Sequence, residues 1–176
     1  FIIPTDPSFP FNPGQFEEVH RMINVPSVKR KYYSLLNKMV NGPKRWFHSD
    51  RLSTYLDKLE DLGMRNTDRG QLGGFIEQRS AMIQERIQSV IFPQLRFRIT
   101  SNGGNDFSTT FAIVSLLGEA PVEISLILVN SNFYPVNFKS MTEWSILNIP
   151  LEPGINALNL FGFDLDGNFV DSTSIT

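Results

Sequence analysis

The sequence predicts an α+β chain in two units, with about four helices in residues 1–91 and an antiparallel β-sandwich in residues 92–176. Apolar residues recur at helical spacing before Phe92-Pro93 and at a period of two after it. The charge balance changes at the same point, because residues 1–91 carry 13 Lys/Arg against 10 Asp/Glu and residues 92–176 carry 3 against 8. A chain of 176 residues is long enough for two small cores.

The helical unit is predicted to begin after an extended, proline-rich segment at residues 1–13. Asn12-Pro13 is a favourable N-terminus for a short first helix that reaches about Val25. A second helix is expected from Pro26-Ser27 to the break at Asn41-Gly42-Pro43. Its predicted buried residues are Val28, Tyr32, Leu35, Leu36, Met39 and Val40.

Two further helices complete this unit. Ser49 is the predicted N-cap of the third helix, and Gly63 is its predicted left-handed terminator. The predicted buried stripe of that helix is Leu52, Tyr55, Leu56, Leu59 and Leu62. The fourth helix fits Asp68 to Val90, although three glycines weaken its first turns and favour a start near Gly74. Its predicted apolar face is Leu72, Phe75, Ile76, Met82, Ile83, Ile87 and Val90.

Six or seven short strands are predicted after Pro93, separated by turn residues such as Asn102-Gly103 and Pro153-Gly154. The strand-forming runs include "FAIVSLLG", "VEISLILVN", "PVNFKS", "EWSILNIPL" and "NALNLFGF". Strands of this number and spacing are typical of a sandwich of the immunoglobulin type. The predicted core residues include Trp144, Ile155, Leu158, Leu160 and Phe163.

Composition limits the classes of partner. The net charge of the first half, +3, is too weak for a nucleic-acid-binding face, and no apolar run approaches the roughly 18 residues of a membrane span. The absence of cysteine excludes disulfides and thiolate metal sites. The chain begins at Phe1 without a basic n-region, so we expect a processed chain or a fragment rather than a signal peptide.

The stretch from Asp164 to Asn168 has two interpretations. Asp164, Asp166 and Asn168 offer oxygen ligands for calcium, which takes about six to eight oxygens, but Asp171 is the only acid that follows. The same residues suit a tight turn between two strands, because Asp, Asn and Gly accept left-handed backbone angles. The turn is favoured, and calcium remains the alternative.

Two other clusters have structural explanations. His48-Ser49-Asp50 contains the side chains of a hydrolase triad, but a helix cap explains Ser49 better, since triad residues converge from separate segments. A basic cluster could bind phosphate or an acidic partner, yet a solvated helix face is favoured for it. Its members are Lys29, Arg30, Lys31, Lys44 and Arg45.

Two stretches resemble known families. "VPSVKRKYYSLLNKMVNGP", followed by "GGFIEQRSAMIQERI", resembles the helical C-terminal portion of the spore-coat CotH kinase family. "LLGEAPVEISLILVNSNFYPVNFKSMTEWSILNIPLEPGINALNLFGFDLDGN" resembles the bacterial immunoglobulin-like module that is often appended to such kinases in large secreted proteins. Those modules often carry glycine after Val-Asn, where this chain has Ser131-Asn132, so a longer or differently shaped turn is expected.

The resemblance implies a non-catalytic C-terminal part of an exported CotH-kinase-like protein, acting as a structural or interaction module in a secreted or cell-surface setting. Family members hold ATP and Mg upstream of these helices, so no catalytic residue and no cofactor is expected in this chain. The expected partner is an upstream kinase-like lobe or another protein subunit.

Two alternatives stay open. In one, the immunoglobulin-like module binds a glycan or a surface through Phe133, Tyr134 and Trp144, although a core position is favoured for Trp144. In the other, the chain contributes one wall of an ATP site whose catalytic residues lie on an absent polypeptide. Arg79 and Lys29 to Lys31 would then be the residues that contact the nucleotide.

Overall fold

The computed structural model describes residues 17, 21–22, 24–42, 49–63, 65–90 and 95–176, and it divides the chain into two compact units. The helical unit comprises the described residues before Asn24 and residues 32–90. The β unit comprises Asn24–Lys31 and residues 91–176. The sequence predicted units at residues 1–91 and 92–176. The structure instead places Asn24–Lys31, which was expected in the helical unit, in the β unit.

Three helices have defined bounds in the described residues: α1 at Pro26–Asn41, α2 at Ser49–Asp61 and α3 at Asn66–Val90. Gly63 has φ 99° and follows the end of α2, which confirms the predicted terminator. α3 begins well before Gly74, because a helix that packs along its length tolerates glycines in its first turns. Most of the predicted first helix, and the first segment, lie outside the described residues.

Apolar side chains form the interior of the helical unit within its described residues. The buried ones are Tyr33, Leu36, Val40, Leu56, Ile83 and Ile87. Polar contacts join the helices at their surface: Gln84 Nε2 on α3 donates to Asn41 Oδ1 on α1 at 3.2 Å, and Arg69 on α3 pairs with Asp57 and Glu60 on α2. No described helix is both long and apolar enough to cross a bilayer.

The β unit contains two four-stranded antiparallel sheets. The strands are β1 Arg98–Ile99, β2 Ile113–Glu119, β3 Leu126–Val129, β4 Asn132–Phe133, β5 Val136–Phe138, β6 Glu143–Pro150, β7 Leu158–Phe163 and β8 Phe169–Ile175. The first sheet has the order β1-β2-β6-β5 and the second has the order β4-β3-β7-β8. The predicted count of six or seven strands is therefore too low within residues 95–176.

One apolar core fills the space between the sheets. Leu116, Trp144 and Ile146 come from the first sheet, and Ile127 and Leu160 come from the second. The period of two in these strands puts such side chains on the inner face, as the sequence predicts. Ile155 is a correction, because it is 92% exposed in the β6–β7 loop instead of buried.

A two-residue turn joins β3 to β4. Val129 pairs with Asn132, and the two residues between them have positive φ, 48° at Asn130 and 66° at Ser131. Positive φ at both central positions defines a type I′ hairpin turn. A longer or differently shaped turn was expected at Ser131-Asn132, and the greater length is wrong, because only two residues separate the paired positions. Serine at position 131 has a backbone conformation that suits glycine.

Candidate functional site

Arg30 on α1 anchors the helical segment of the β unit to the loops at one end of the sheets. It lies within Asn24–Lys31 and is only 3% exposed. Its guanidinium donates to the carbonyl oxygens of Ala120, Pro121 and Ile124 at 3.1, 2.7 and 2.8 Å, and also to that of Met141. The first three carbonyls belong to the β2–β3 connection and the fourth to the β5–β6 connection, so a single side chain joins both loops.

The chemistry of this anchor depends on the planar fork of arginine, which offers five N–H donors. The guanidinium carbon also lies 4.1 Å from the centre of the Phe138 ring, in a cation–π contact. Burial lowers the pKa of Arg30 to about 10, and the charge of Glu123 opposes that shift. Arg30 is therefore protonated at neutral pH. The prediction of a solvated basic face is wrong for Arg30, because four carbonyl oxygens replace its water.

A groove of about 730 Å³ lies at the other end of the sheets. Its walls are the segment 106–112, which precedes β2, and the loop 151–156 between β6 and β7. Leu158 and Ile175, both nearly fully buried, contribute to its floor. Phe111 and Ile155 line it while remaining 74% and 92% exposed. The groove has the size of a small-ligand or peptide site.

Hydrogen bonds fix both walls of this groove. Phe107 N donates to Thr176 O at 3.1 Å, and Thr176 N donates to Asp106 Oδ1 at 2.8 Å, which holds the first wall against the end of β8. In the second wall, Asn156 exchanges hydrogen bonds with the backbone of Glu152 at 2.9 and 2.7 Å. Both walls are therefore formed before any ligand binds.

The groove and the Arg30 anchor lie at opposite ends of β2. The strand begins at Ile113, next to the groove wall, and ends at Glu119, next to Ala120. Six steps of about 3.3 Å separate those ends by about 20 Å. A ligand in the groove would therefore not touch the anchor.

The helical unit carries an exposed apolar stripe, the α2 stripe, formed by Tyr55 and Leu59 on α2 and by Leu62 directly after the end of that helix. Tyr55, Leu59 and Leu62 are 52%, 39% and 83% exposed, at spacings of four and three residues that align side chains on one helix face. The sequence predicted burial for all three, and that prediction is wrong. Leu56 lies on a different face of the helix and is buried, as predicted.

The residues considered for calcium form a closed turn. Asp164 Oδ1 accepts hydrogen bonds from the backbone N–H groups of Asp166 and Asn168, each at 2.8 Å. Asp164 Oδ2 accepts a further bond from Asn168 Nδ2 at 3.0 Å, and Gly167 has φ 82°. The carboxylate of Asp164 thus caps its own turn. Among the described residues, no group of three or more His, Cys, Asp or Glu could hold a metal.

The three aromatic residues considered for sugar stacking lie in different environments. Trp144 is 1% exposed and packs beside Phe97, with ring centres 5.9 Å apart, so a sugar could not reach it. Tyr134 is partly buried against the core. Phe133 is 68% exposed on β4. The structure therefore does not bring these three side chains to one surface.

The residues of the ATP-wall alternative belong to different units, Lys29 to Lys31 to the β unit and Arg79 to the helical unit. The guanidinium of Arg30 already donates hydrogen bonds to four carbonyl oxygens. Arg79 is half-buried in the helical unit, where its charge opposes the rise that burial causes in the pKa of Tyr32. The side chains of Lys44 and Arg45, like those of His48, Ser49 and Asp50, lie outside the described residues.

Comparisons of the chain with protein-family models, with curated proteins and with solved structures give no match, so no family is assigned to it.

Sequence reasoning missed the anchor and the groove. Arg30 stands between two lysines and has no sequence feature that separates it from a surface residue. The groove offers a weak signal, because Ile155 is an apolar residue directly after Pro153-Gly154, where a turn should expose it. An apolar side chain in a turn can therefore mark a surface as well as a core.

Proposed function

We propose that this chain is the non-catalytic C-terminal part of an exported CotH-kinase-like protein, and that it serves as an interaction module. In this proposal the β unit is an immunoglobulin-like domain, and the helical unit binds a kinase-like lobe or another subunit. The exposed α2 stripe carries the proposal. Three large side chains aligned on one helix are unfavourable in water and favourable at an interface.

The strand order supports the immunoglobulin-like part of the proposal. In an immunoglobulin constant-type fold, strands A, B, E and D form one sheet and C, F and G form the other. The sheets β1-β2-β6-β5 and β4-β3-β7-β8 follow that order when β4 is taken as an additional strand beside C. The buried tryptophan departs from it, since Trp144 lies on the strand equivalent to E instead of C.

The helical part of the proposal rests on the resemblance of "VKRKYYSLLNKMVNGP" and "GGFIEQRSAMIQERI" to the last helices of the kinase family. In such a protein these helices would lie against the rest of the kinase fold. An α2 stripe that is exposed here would then be covered by the upstream lobe.

The test uses this chain and the polypeptide encoded directly upstream of it. We expect the two, produced separately, to form a complex in light-scattering chromatography. The double variant Leu59→Gln/Leu62→Gln should weaken that complex at least about tenfold, because burial of each leucine contributes about 1.5–3 kcal/mol. The matched control is Leu117→Gln/Leu147→Gln, which changes two leucines of the β unit that are 43% and 56% exposed.

Three results would contradict the proposal. The first is an upstream sequence without the carboxylates and lysine that phosphoryl transfer requires. The second is equal weakening by the helix and control variants. The third is recovery from the source of a native species of about 20 kDa, the mass of this chain alone, with no longer or associated kinase chain.

A further inference from the structure

The groove between segments 106–112 and 151–156 has three properties that together indicate which kind of ligand it binds. Its floor is apolar, its charged lining residues are both acidic, and one wall has unpaired backbone groups. None of these properties involves the α2 stripe, so the inference drawn from them is independent of the function proposed above.

The charge of the groove is negative. Asp106 and Glu152 are the charged residues that line it, and neither forms an ion pair within residues 95–176. The only ion pair in that range joins Arg98 to Glu119, at the end of β2 that lies away from the groove. A cationic group in the groove would therefore meet two carboxylates without competition from a basic side chain of the β unit.

The backbone of the first wall is available for pairing. Ser108, Thr109 and Thr110 are exposed, and within residues 95–176 their backbone N–H and C=O groups make no hydrogen bond. Unpaired backbone groups at the edge of a groove can pair with an added peptide strand, which binds through its own main chain. Side chains that alternate along such a strand would point in turn to the floor and to the rim.

We infer that the groove binds an extended peptide segment of a partner protein in which apolar side chains alternate with lysine or arginine. The apolar side chains pack on the floor beside Phe111 and Ile155. The cationic side chains pair with Asp106 and Glu152. The peptide backbone bonds to Ser108–Thr110.

The experiment titrates the complete, isotope-labelled chain with capped hexapeptides and follows the backbone amide resonances. The first peptide alternates valine with lysine, the second alternates valine with glutamate, and the third alternates valine with serine. We expect the lysine peptide to shift resonances of residues 106–112 and 151–156, with affinity that falls as salt is added. The serine peptide should bind more weakly, and the glutamate peptide should not bind.

Variants on the exposed surface locate the interaction without disturbing the core. Glu152→Gln and Phe111→Ser should each weaken the binding of the lysine peptide about fivefold, the scale of a single exposed charge or contact. Glu143→Gln and Phe133→Ser are matched controls, because they make the same changes at exposed residues outside the groove.

The inference is overturned if the lysine peptide leaves the groove resonances unchanged, or if the glutamate peptide binds equally well. It is also overturned if the control variants weaken binding as much as the groove variants. Cellohexaose serves as a neutral glycan probe, and groove shifts caused by that sugar but not by the lysine peptide would assign the groove to a glycan instead.

Discussion

Ser131 occupies a backbone conformation that residues with a Cβ atom avoid. Its φ of 66° lies in the left-handed region, where an L residue is disfavoured by about 1–2 kcal/mol relative to glycine. The neighbouring Asn130 meets the same requirement at lower cost, because asparagine tolerates this region and its side chain donates to Ala157 O at 2.9 Å. Serine at position 131 therefore destabilises the turn more than asparagine at position 130 does.

Ser131→Gly should stabilise the β unit by about 0.5–1 kcal/mol, because glycine removes the strain while the turn keeps its shape. Urea unfolding monitored by circular dichroism measures the change. Ser172→Gly is the matched control, since it makes the same substitution in β8 at negative φ, and it should destabilise by a similar amount. Stabilisation by both variants would contradict the assignment of strain to Ser131.

At the scale of elements, β1, β2 and β6 pack closely because Gly118 has no side chain. A Cβ atom at Gly118 would lie 2.2 Å from Trp144 Cζ2 and 2.3 Å from the backbone oxygen of Arg98. Both neighbours are fixed, one by the core and one by the pairing of β1 with β2. The indole of Trp144 therefore fills the space that a larger residue at position 118 would need.

Gly118→Ala should destabilise the β unit by about 3 kcal/mol, at the upper end of the cost of overpacking a core. The matched control is Gly70→Ala in α3, where a Cβ atom meets nothing within 4 Å and the change should stabilise the helical unit by about 0.5–1 kcal/mol. Calorimetric unfolding of both variants checks whether Gly118→Ala lowers the stability of the β unit and Gly70→Ala raises that of the helical unit. A neutral Gly118→Ala would mean that Trp144 packs elsewhere.

The elements were predicted well where a periodic pattern was long enough to be seen. The runs around Ile113–Glu119 and Glu143–Pro150 are rich in β-branched, aliphatic and aromatic residues over seven or eight positions, and both are strands. β4 was missed because Asn132–Phe133 is too short to show a period. The α2 stripe was predicted as buried because an apolar face on a helix looks the same whether it meets a core or a partner.

The candidate sites were harder to predict than the strands. Arg30 and Ala120 are 90 residues apart in sequence, and a pattern within one helix carries no information on a contact of that range. The groove depends on loops 106–112 and 151–156 meeting in space, which follows from the pairing of β2 with β6 and from the bonds of the first loop to the end of β8. Local periodicity predicts helices and strands, whereas these sites form only when segments that are distant in sequence pack together.

At the scale of the whole molecule, the β unit is discontinuous in sequence, and Arg30 holds its first piece in place. Arg30→Met keeps a long unbranched side chain but removes the donor of four carbonyl oxygens, of which, among the described residues, only Pro121 O keeps another, the N–H of Ile124 at 3.1 Å. We expect a loss of about 2–4 kcal/mol in the stability of the β unit, because buried acceptors without partners are costly. Amide hydrogen exchange of the complete chain should also accelerate at residues 27–31 and in the β2–β3 connection.

Lys31→Met is the control for this prediction, because it removes the same charge from the neighbouring exposed residue and should change stability by less than about 0.5 kcal/mol. Faster exchange spread evenly over α2 and α3 in Arg30→Met would indicate a general loss of stability. Unchanged exchange at residues 27–31 would contradict the anchor.

The position of Arg30 in the chain also sets an order of events during synthesis. Met141, which supplies the last carbonyl of the anchor, follows Arg30 by 111 residues. At about 5–20 residues per second, a ribosome adds those residues in roughly 6–22 seconds. Until then the guanidinium lacks its final acceptor, while the rest of α1 and the residues of α2 and α3 are made. The anchor of this first segment can therefore be completed only after synthesis has reached Met141, and the nascent chain must keep the segment accessible until β6 begins.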